Sequence, residues 1–182
     1  MIDAALLARL RIEPLDRKRH DRAAFSCGVA QVDTYLRTVA AGLQDLETTR
    51  VYVARLDETP DIVGFYAVNA HAIDLGTLPE GMRKKLPRYP LVPAIYLSVV
   101  GVHDAFQGGG VGSVLMADAM RRCARVADEI GAAFIVLDAL NERAGALYRR
   151  LGFVDLPGRA PRMVIGIRQV RAAIAAAAIR PA

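Results

Sequence analysis

The chain has 182 residues, of which 53% are hydrophobic and 24% charged, and its net charge is +5. That is long enough for one domain with a sizeable core and too apolar for intrinsic disorder. It holds no run of about eighteen apolar residues, the start "MIDAALLARL" does not read as a signal peptide, and Cys27 and Cys123 offer neither a disulfide framework nor a metal spacing, so no membrane association is expected and a reduced, cytoplasmic setting is.

Taken in chain order, "LRIEPLD" (Leu10–Asp16) predicts a first strand. In "AQVDTYLRTVAAGLQDL", Val32, Leu36, Val39 and Leu43 recur at helical intervals, which predicts an amphipathic helix. "TRVYVARL" and "IVGFYAVNA" predict a hairpin across the turn-like "DETPD". "PEGMRKKLPRYPLVP" reads as a loop, or a loop holding a short helix, and "AIYLSVVGV" as a buried strand. "QGGGVGSVLMADAMRRC" is a glycine loop opening a helix that runs to about Ile130. "AFIVLDA" is another buried strand, and "ERAGALYRRL" a helix stopped by Gly152. "RMVIGIRQ" closes the sheet, and alanine-rich "VRAAIAAAAIRPA" predicts a terminal helix. The order predicts an α/β fold around one mixed sheet, with hairpins early and helical crossovers late. No linker interrupts it, so residues 1–182 are expected to form a single domain, with a core of about 10–169 and a final helix of about 169–179.

Charge is unevenly spread. From Arg143 onward there are eight arginines against one acid, Asp155. A one-sided basic face suits a polyanion, although arginine-rich composition alone produces the same count.

The glycines of the loop demand a reason, because glycine costs roughly 1 kcal/mol against alanine inside a helix. A strand, a glycine loop and a helix start together make an anion site. The first helical N–H groups lack partners, the macrodipole is positive there, and glycine lets a phosphate approach the backbone. Nucleoside triphosphate loops end in Gly-Lys-Ser/Thr, but here Gly112 precedes Ser113 and Val114. The dinucleotide fingerprint fails too, with Ser113 at its third glycine. The register that fits is Gln-x-x-Gly-x-Gly, through Gln107, Gly110 and Gly112.

On that loop the sequence resembles the GNAT N-acetyltransferase superfamily. "NERAGALYRRLGF" adds Asn141, Ala144, Tyr148, Gly152 and Phe153 in the spacing typical of its helix after the fifth strand. The resemblance covers roughly Leu10 to Gln169. It implies a GNAT fold, a mixed and mostly antiparallel sheet of six to seven strands with splayed central strands. It also implies acetyl-CoA as cofactor. The pyrophosphate would sit on Gln107, Gly108, Gly109, Gly110, Val111, Gly112 and Ser113, and the pantetheine arm along Val100, Gly101 and Val102, with Asn141 and Ala144 also near the cofactor. Gly101 reads as a bulge parting two strands. Tyr148 is the expected proton donor to the leaving thiolate, since a tyrosine of pKa about 10 is protonated at neutral pH. Read alone, Tyr148 is equally a core aromatic, and Asn141 a helix cap. His103 and Asp104 are candidate water-linked bases, His103 reading better as a polar strand end. Cys123 reads as a packed thiol.

"HDRAAFSCGVAQVDTYLRTVA" is similar to the N-terminal segment of the GNAT toxins of toxin–antitoxin modules, through His20, Asp21, Phe25, Cys27, Gly28, Val32, Asp33, Tyr35, Leu36 and Arg37. That branch implies acetylation of the α-amine of aminoacyl-tRNA and neutralisation by a ribbon-helix-helix antitoxin. A homodimer stays open. The chain departs from the branch at Val99 and His103, where the toxins usually carry arginine and aspartate, and at Gly109. Arg83, Lys84, Lys85, Arg88, Arg149 and Arg150 are the candidate RNA phosphate contacts, each readable as a solvated charge. Two alternatives remain: a GNAT enzyme of small amines or protein N-termini, and a non-catalytic acetyl-CoA-binding module.

Overall fold

A computed structural model describes residues 4–57, 59, 61–158 and 161–179. Seven strands form one sheet: β1 (Leu10–Pro14), β2 (Arg50–Leu56), β3 (Ile62–Asp74), β4 (Leu91–Val102), β5 (Phe134–Asp138), β6 (Val154–Asp155) and β7 (Arg162–Gly166). Their order is β1-β2-β3-β4-β5-β7-β6. The helices are α1 (Ala4–Ala8), α2 (Ala30–Thr34), α3 (Ala40–Asp45), α4 (Glu80–Arg83), α5 (Val111–Ile130), α6 (Glu142–Arg150) and α7 (Ile167–Ile179). The α/β class with a mixed, seven-stranded sheet is therefore the one the sequence predicts. β1–β2, β2–β3, β5–β7 and β6–β7 pair antiparallel, and β4–β5 parallel. The parallel ladder runs from Ala94–Phe134 to Leu97–Leu137, while β4 itself continues to Val102.

Some elements differ from the sequence reading. The closing strand is not "RMVIGIRQ" but the two-residue β6, which pairs on the outer side of β7. β3 runs four residues past Ala70, to Asp74, and β4 begins at Leu91 rather than Ala94. The helix expected from Ala30 is interrupted. Between α2 and α3 the turn Tyr35–Val39 is a π-helix, where the Ala40 N–H reaches back five residues to the Tyr35 carbonyl. The turn expected in "DETPD" lies partly outside the described residues, as does the end of the terminal helix and the segment before Ala4.

The chain forms two compact units. The first comprises the residues up to Asn69 together with Ser98–Ala119. Its core joins Phe25, Val32, Leu36 and Ala40 to Val51, Val53, Phe65 and Ala67, so alternate strand residues bury against the apolar face of α2 and α3. The second comprises Ala70–Leu97 and the chain from Met120 onward. Its core gathers Ile73, Val92, Ala94, Phe134, Val136, Leu156 and Val164. Within the first unit two glycines permit close packing. A Cβ on Gly64 would lie 2.8 Å from Leu115 Cδ1, and one on Gly101 2.7 Å from the Phe65 ring and 2.9 Å from Val32. Gly101 thus serves close approach of the α2 face. In the β2–β3 ladder the register shifts between Ala54 and Arg55.

Candidate active site

In the first unit the loop Gln107–Gly110 runs straight into the 20-residue α5. Gly108 and Gly110 have φ of +82° and +96°, a region that L side chains rarely adopt. Ser113 N and Val114 N both donate to Gly110 O, at 3.0 and 3.2 Å. The N–H groups of Gly108, Gly109, Gly110, Val111 and Gly112 donate to no acceptor among the described residues. Those of Gly110, Val111 and Gly112 are orphan donors at the positive end of a long helix, and those of Gly108 and Gly109 lie in the loop just before it. A Cβ at Gly112 would meet only Val102 Cγ2, at 3.6 Å, so the packing of the chain does not itself require glycine there. Free donors, a helix dipole and a glycine that packing does not demand fit an anionic diphosphate.

The loop is braced from beneath. Gln107 Nε2 donates to Cys27 O (2.9 Å) and Val102 O (3.0 Å), so this side chain ties the loop to the body of the unit. Cys27 N in turn donates to Asp33 Oδ1 at 2.8 Å, and Asp33 is buried. Asp104 N donates to Ser26 O at 2.8 Å. The segment that the sequence marked as toxin-like therefore underpins the glycine loop. His103 and Asp104 both cap the turn after β4: each accepts from Ala105 N, at 3.2 and 2.7 Å. The His103 ring packs edge-on to Phe25 and Phe106. Val99 packs against the apolar core. Val100, Gly101 and Val102 form the end of β4 leading to this loop.

In the second unit Asn141 caps α6, its Oδ1 accepting from Ala144 N at 2.9 Å. Such a cap stabilises a helix by about 1 kcal/mol. Tyr148 lies two turns on and is 8% exposed, its ring 6.0 Å from Phe153. Burial pushes its phenol above the ordinary tyrosine value. Its hydroxyl makes no hydrogen bond among the described residues, so its proton is not committed elsewhere in the unit. Gly152, at φ +94°, ends the helix, and Phe153 N returns to Tyr148 O at 3.1 Å. Cys123 is 2% exposed, and burial pushes its thiol up to about 12, which makes it a packing residue.

The basic residues of this unit divide in two. Arg149 is held by Glu142 at 2.7 Å and Asp155 at 2.9 Å, and Lys84 by Glu80 at 2.9 Å. Arg83, Lys85, Arg88 and Arg150 are exposed and form no ion pair among the described residues. The sequence did not reveal a polar ladder across β4, β5 and β7. Tyr96 donates to Asp138 Oδ2 (2.8 Å), and Arg162 grips both Asp138 oxygens (2.8 and 2.9 Å). The Arg162 bonds hold the Asp138 carboxyl below its ordinary range. His71 lies beside the Tyr96 ring, and burial, helped by Arg162, pushes its imidazole below the usual value.

A buried strand, a glycine turn and a long helix opening with unpaired N–H groups make an α/β fold suited to an anion at that turn. A family model described as an acetyltransferase (GNAT) domain matches residues 47–155. A probable toxin TacT of Sinorhizobium fredii is 40% identical over 171 residues, covering 90% of this chain and 94% of the relative. A tRNA-acetylating toxin of Mycobacterium tuberculosis is 33% identical over 154 residues, covering 85% and 90%. A third relative, AtaT, has been solved in complex with acetyl-methionyl-tRNAfMet. It superposes with a TM-score of 0.83 at 25% identity, covering 91% of this chain and 99% of that one. AtaTR bound with AcCoA gives 0.80 at 25% identity, covering 92% and 99%. The chain belongs to the GNAT acetyltransferase family, and it is an N-acetyltransferase.

Proposed function

We propose that this chain is a toxin that transfers acetyl from acetyl-CoA to the α-amine of aminoacyl-tRNA, works in the cytoplasm as a single domain, and is neutralised by a ribbon-helix-helix antitoxin. The observation that carries the cofactor assignment is the row of five N–H groups without acceptors, Gly108 to Gly112, at the start of α5. These groups and Ser113 would hold the diphosphate, with the β4 backbone at Val100, Gly101 and Val102 along the pantetheine arm. Acetyl-CoA, when bound, supplies an acetyl group activated as a thioester. Tyr148 Oη holds a proton for the departing sulfur, and its raised pKa keeps that proton in place through neutral and mildly alkaline pH. An α-amine has a pKa of about 7.7–8.0, so a sizeable fraction is neutral without a strong base. His103 and Asp104, both occupied in capping, are not needed for that step.

The tRNA acceptor is supported by the toxin relatives and by four exposed cations without acidic partners among the described residues, Arg83, Lys85, Arg88 and Arg150. Arg149 and Lys84 fit the role of phosphate ligand less well, because carboxylates already hold them. The test offers labelled acetyl-CoA together with charged tRNA, deacylated tRNA and free amino acids. Label should enter charged tRNA alone, at a rate that falls steeply with salt. Label in free amines, with little salt dependence, would establish a small-amine acetyltransferase instead. Acetyl-CoA binding with no transfer to any acceptor would establish the non-catalytic module.

A further inference from the structure

Two buried polar atoms of the first unit have no hydrogen-bond partner among the described residues: the Tyr35 hydroxyl and Asn69 Oδ1. A buried polar group left unpaired costs stability, so each needs an explanation. Tyr35 opens the π-helical turn between α2 and α3, a local irregularity that is frequent at functional sites. Its ring stacks on Phe65 at 6.2 Å and an interplanar angle of 10°. Phe65, Ala67 and Asn69 alternate along β3 and so share one face of the sheet. Ser98 of β4 adjoins the same place, its Oγ donating to Ala67 O at 3.3 Å. The Ser98 and Thr49 hydroxyls stand close enough to the Tyr35 phenol to offset part of the upward push of burial, yet neither completes a hydrogen bond with it. Ser98 lies two residues before Val100 in β4, about 7 Å back along the strand from the stretch assigned to the pantetheine arm.

We propose that Tyr35, Asn69 and Ser98 form the seat for the acceptor's amine, taking a primary amine next to an ester or amide carbonyl. The inference deepens the acetyl-transfer reading and rests on it. Asn69 Oδ1 only accepts, so it takes an amine N–H. The Tyr35 hydroxyl donates to the adjacent carbonyl oxygen or accepts a second N–H, and Ser98 Oγ retains lone pairs beyond its bond to Ala67. Together they hold the nitrogen in one orientation while its lone pair stays free for attack. They act by positioning, and none of them moves a proton.

The experiment compares Tyr35→Phe, Asn69→Leu and Asn69→Asp with the wild type. It measures the acceptor KM at saturating acetyl-CoA, acetyl-CoA affinity by calorimetry, and Tm. Tyr35→Phe and Asn69→Leu should each raise the acceptor KM about five- to tenfold, with acetyl-CoA affinity within about twofold. Tyr35→Phe should leave Tm unchanged or raise it, because the hydroxyl it removes has no partner among the described residues. Asn69→Asp keeps the accepting oxygen and should restore acceptor binding. It should also move the rise of kcat to higher pH, since the carboxylate favours the ammonium form of the bound amine. An acceptor KM unchanged in both deletion variants would overturn the proposal, as would an equal loss of acetyl-CoA affinity. A wild type that acetylates an amino acid methyl ester but not aminoacyl-tRNA removes only the tRNA reading, and the variants are then judged on the ester. A wild type that acetylates neither overturns both.

Discussion

Replacing Gly112 by alanine separates what the fold needs from what the cofactor needs. A Cβ there would contact only Val102, at an ordinary 3.6 Å, and the backbone is not in the left-handed region. Gly112 is the second residue of α5, where alanine favours the helix by up to about 1 kcal/mol. For a chain of this size, 1 kcal/mol is about 2–4 °C in Tm, so Gly112→Ala should melt at or slightly above the wild-type temperature. Its effect on the cofactor should be opposite. A methyl group among N–H groups that face a diphosphate pushes the anion out of hydrogen-bond range. Losing one or two charge-assisted bonds of about 1.5–3 kcal/mol each weakens binding tenfold or more. Calorimetry with coenzyme A and a thermal melt read the two effects separately. Gly108→Ala is the control: φ is +82° with open space around it, so strain alone should cost about 1–2 kcal/mol and lower Tm. Gly112→Ala binding coenzyme A within twofold of the wild type would refute the reasoning.

Tyr148→Phe should cut kcat about a hundredfold or more while leaving acetyl-CoA affinity unchanged, as loss of a general acid does; single-turnover kinetics with calorimetry check both. In the wild type, kcat/KM should rise with pH through the α-amine range near 8. It should fall only above the ordinary tyrosine value of about 10, because burial raises the Tyr148 pKa and keeps the acid form in place. Replacing Arg83, Lys85 and Arg88 together by alanine should leave acetyl-CoA affinity intact and raise the KM for charged tRNA. The log–log salt slope should become shallower by about 0.7–0.9 for each phosphate that the variant no longer neutralises. Arg149→Ala should act differently: it frees Glu142 at the start of α6 and Asp155 in β6, and should show first in stability.

The parts of the site visible in the sequence are those governed by local chemistry. Glycines before a helical run mark a backbone that must turn with positive φ and expose N–H groups, and Gly108 and Gly110 do so. Asn141 three residues before Ala144 reads as a cap because that hydrogen bond spans only three residues. The seven strands were mostly visible as β-branched runs, but β6 was not. Two residues are too few to show a period, and Val154 and Asp155 pair only because β7 passes alongside. The π-helical turn was hidden too: the spacing placed Val39 on the apolar face, but the wider turn leaves Val39 exposed and buries Ala40 instead. Long-range partners were beyond reach. Gln107 could be placed in the loop, but its bond to Cys27 O spans 80 residues. Tyr35, Asn69 and Ser98 carry no shared motif; only the packing of α2 and α3 on β3 brings Tyr35 to that face.

The most direct test of the diphosphate cradle is the backbone amide spectrum of the nitrogen-labelled protein, titrated with coenzyme A and separately with pantetheine, which lacks the diphosphate. The account predicts large shifts at the N–H groups of Gly108 to Gly112 with coenzyme A and little change there with pantetheine. Amides at these five positions that stay unmoved at saturating coenzyme A, or that respond equally to pantetheine, would contradict it.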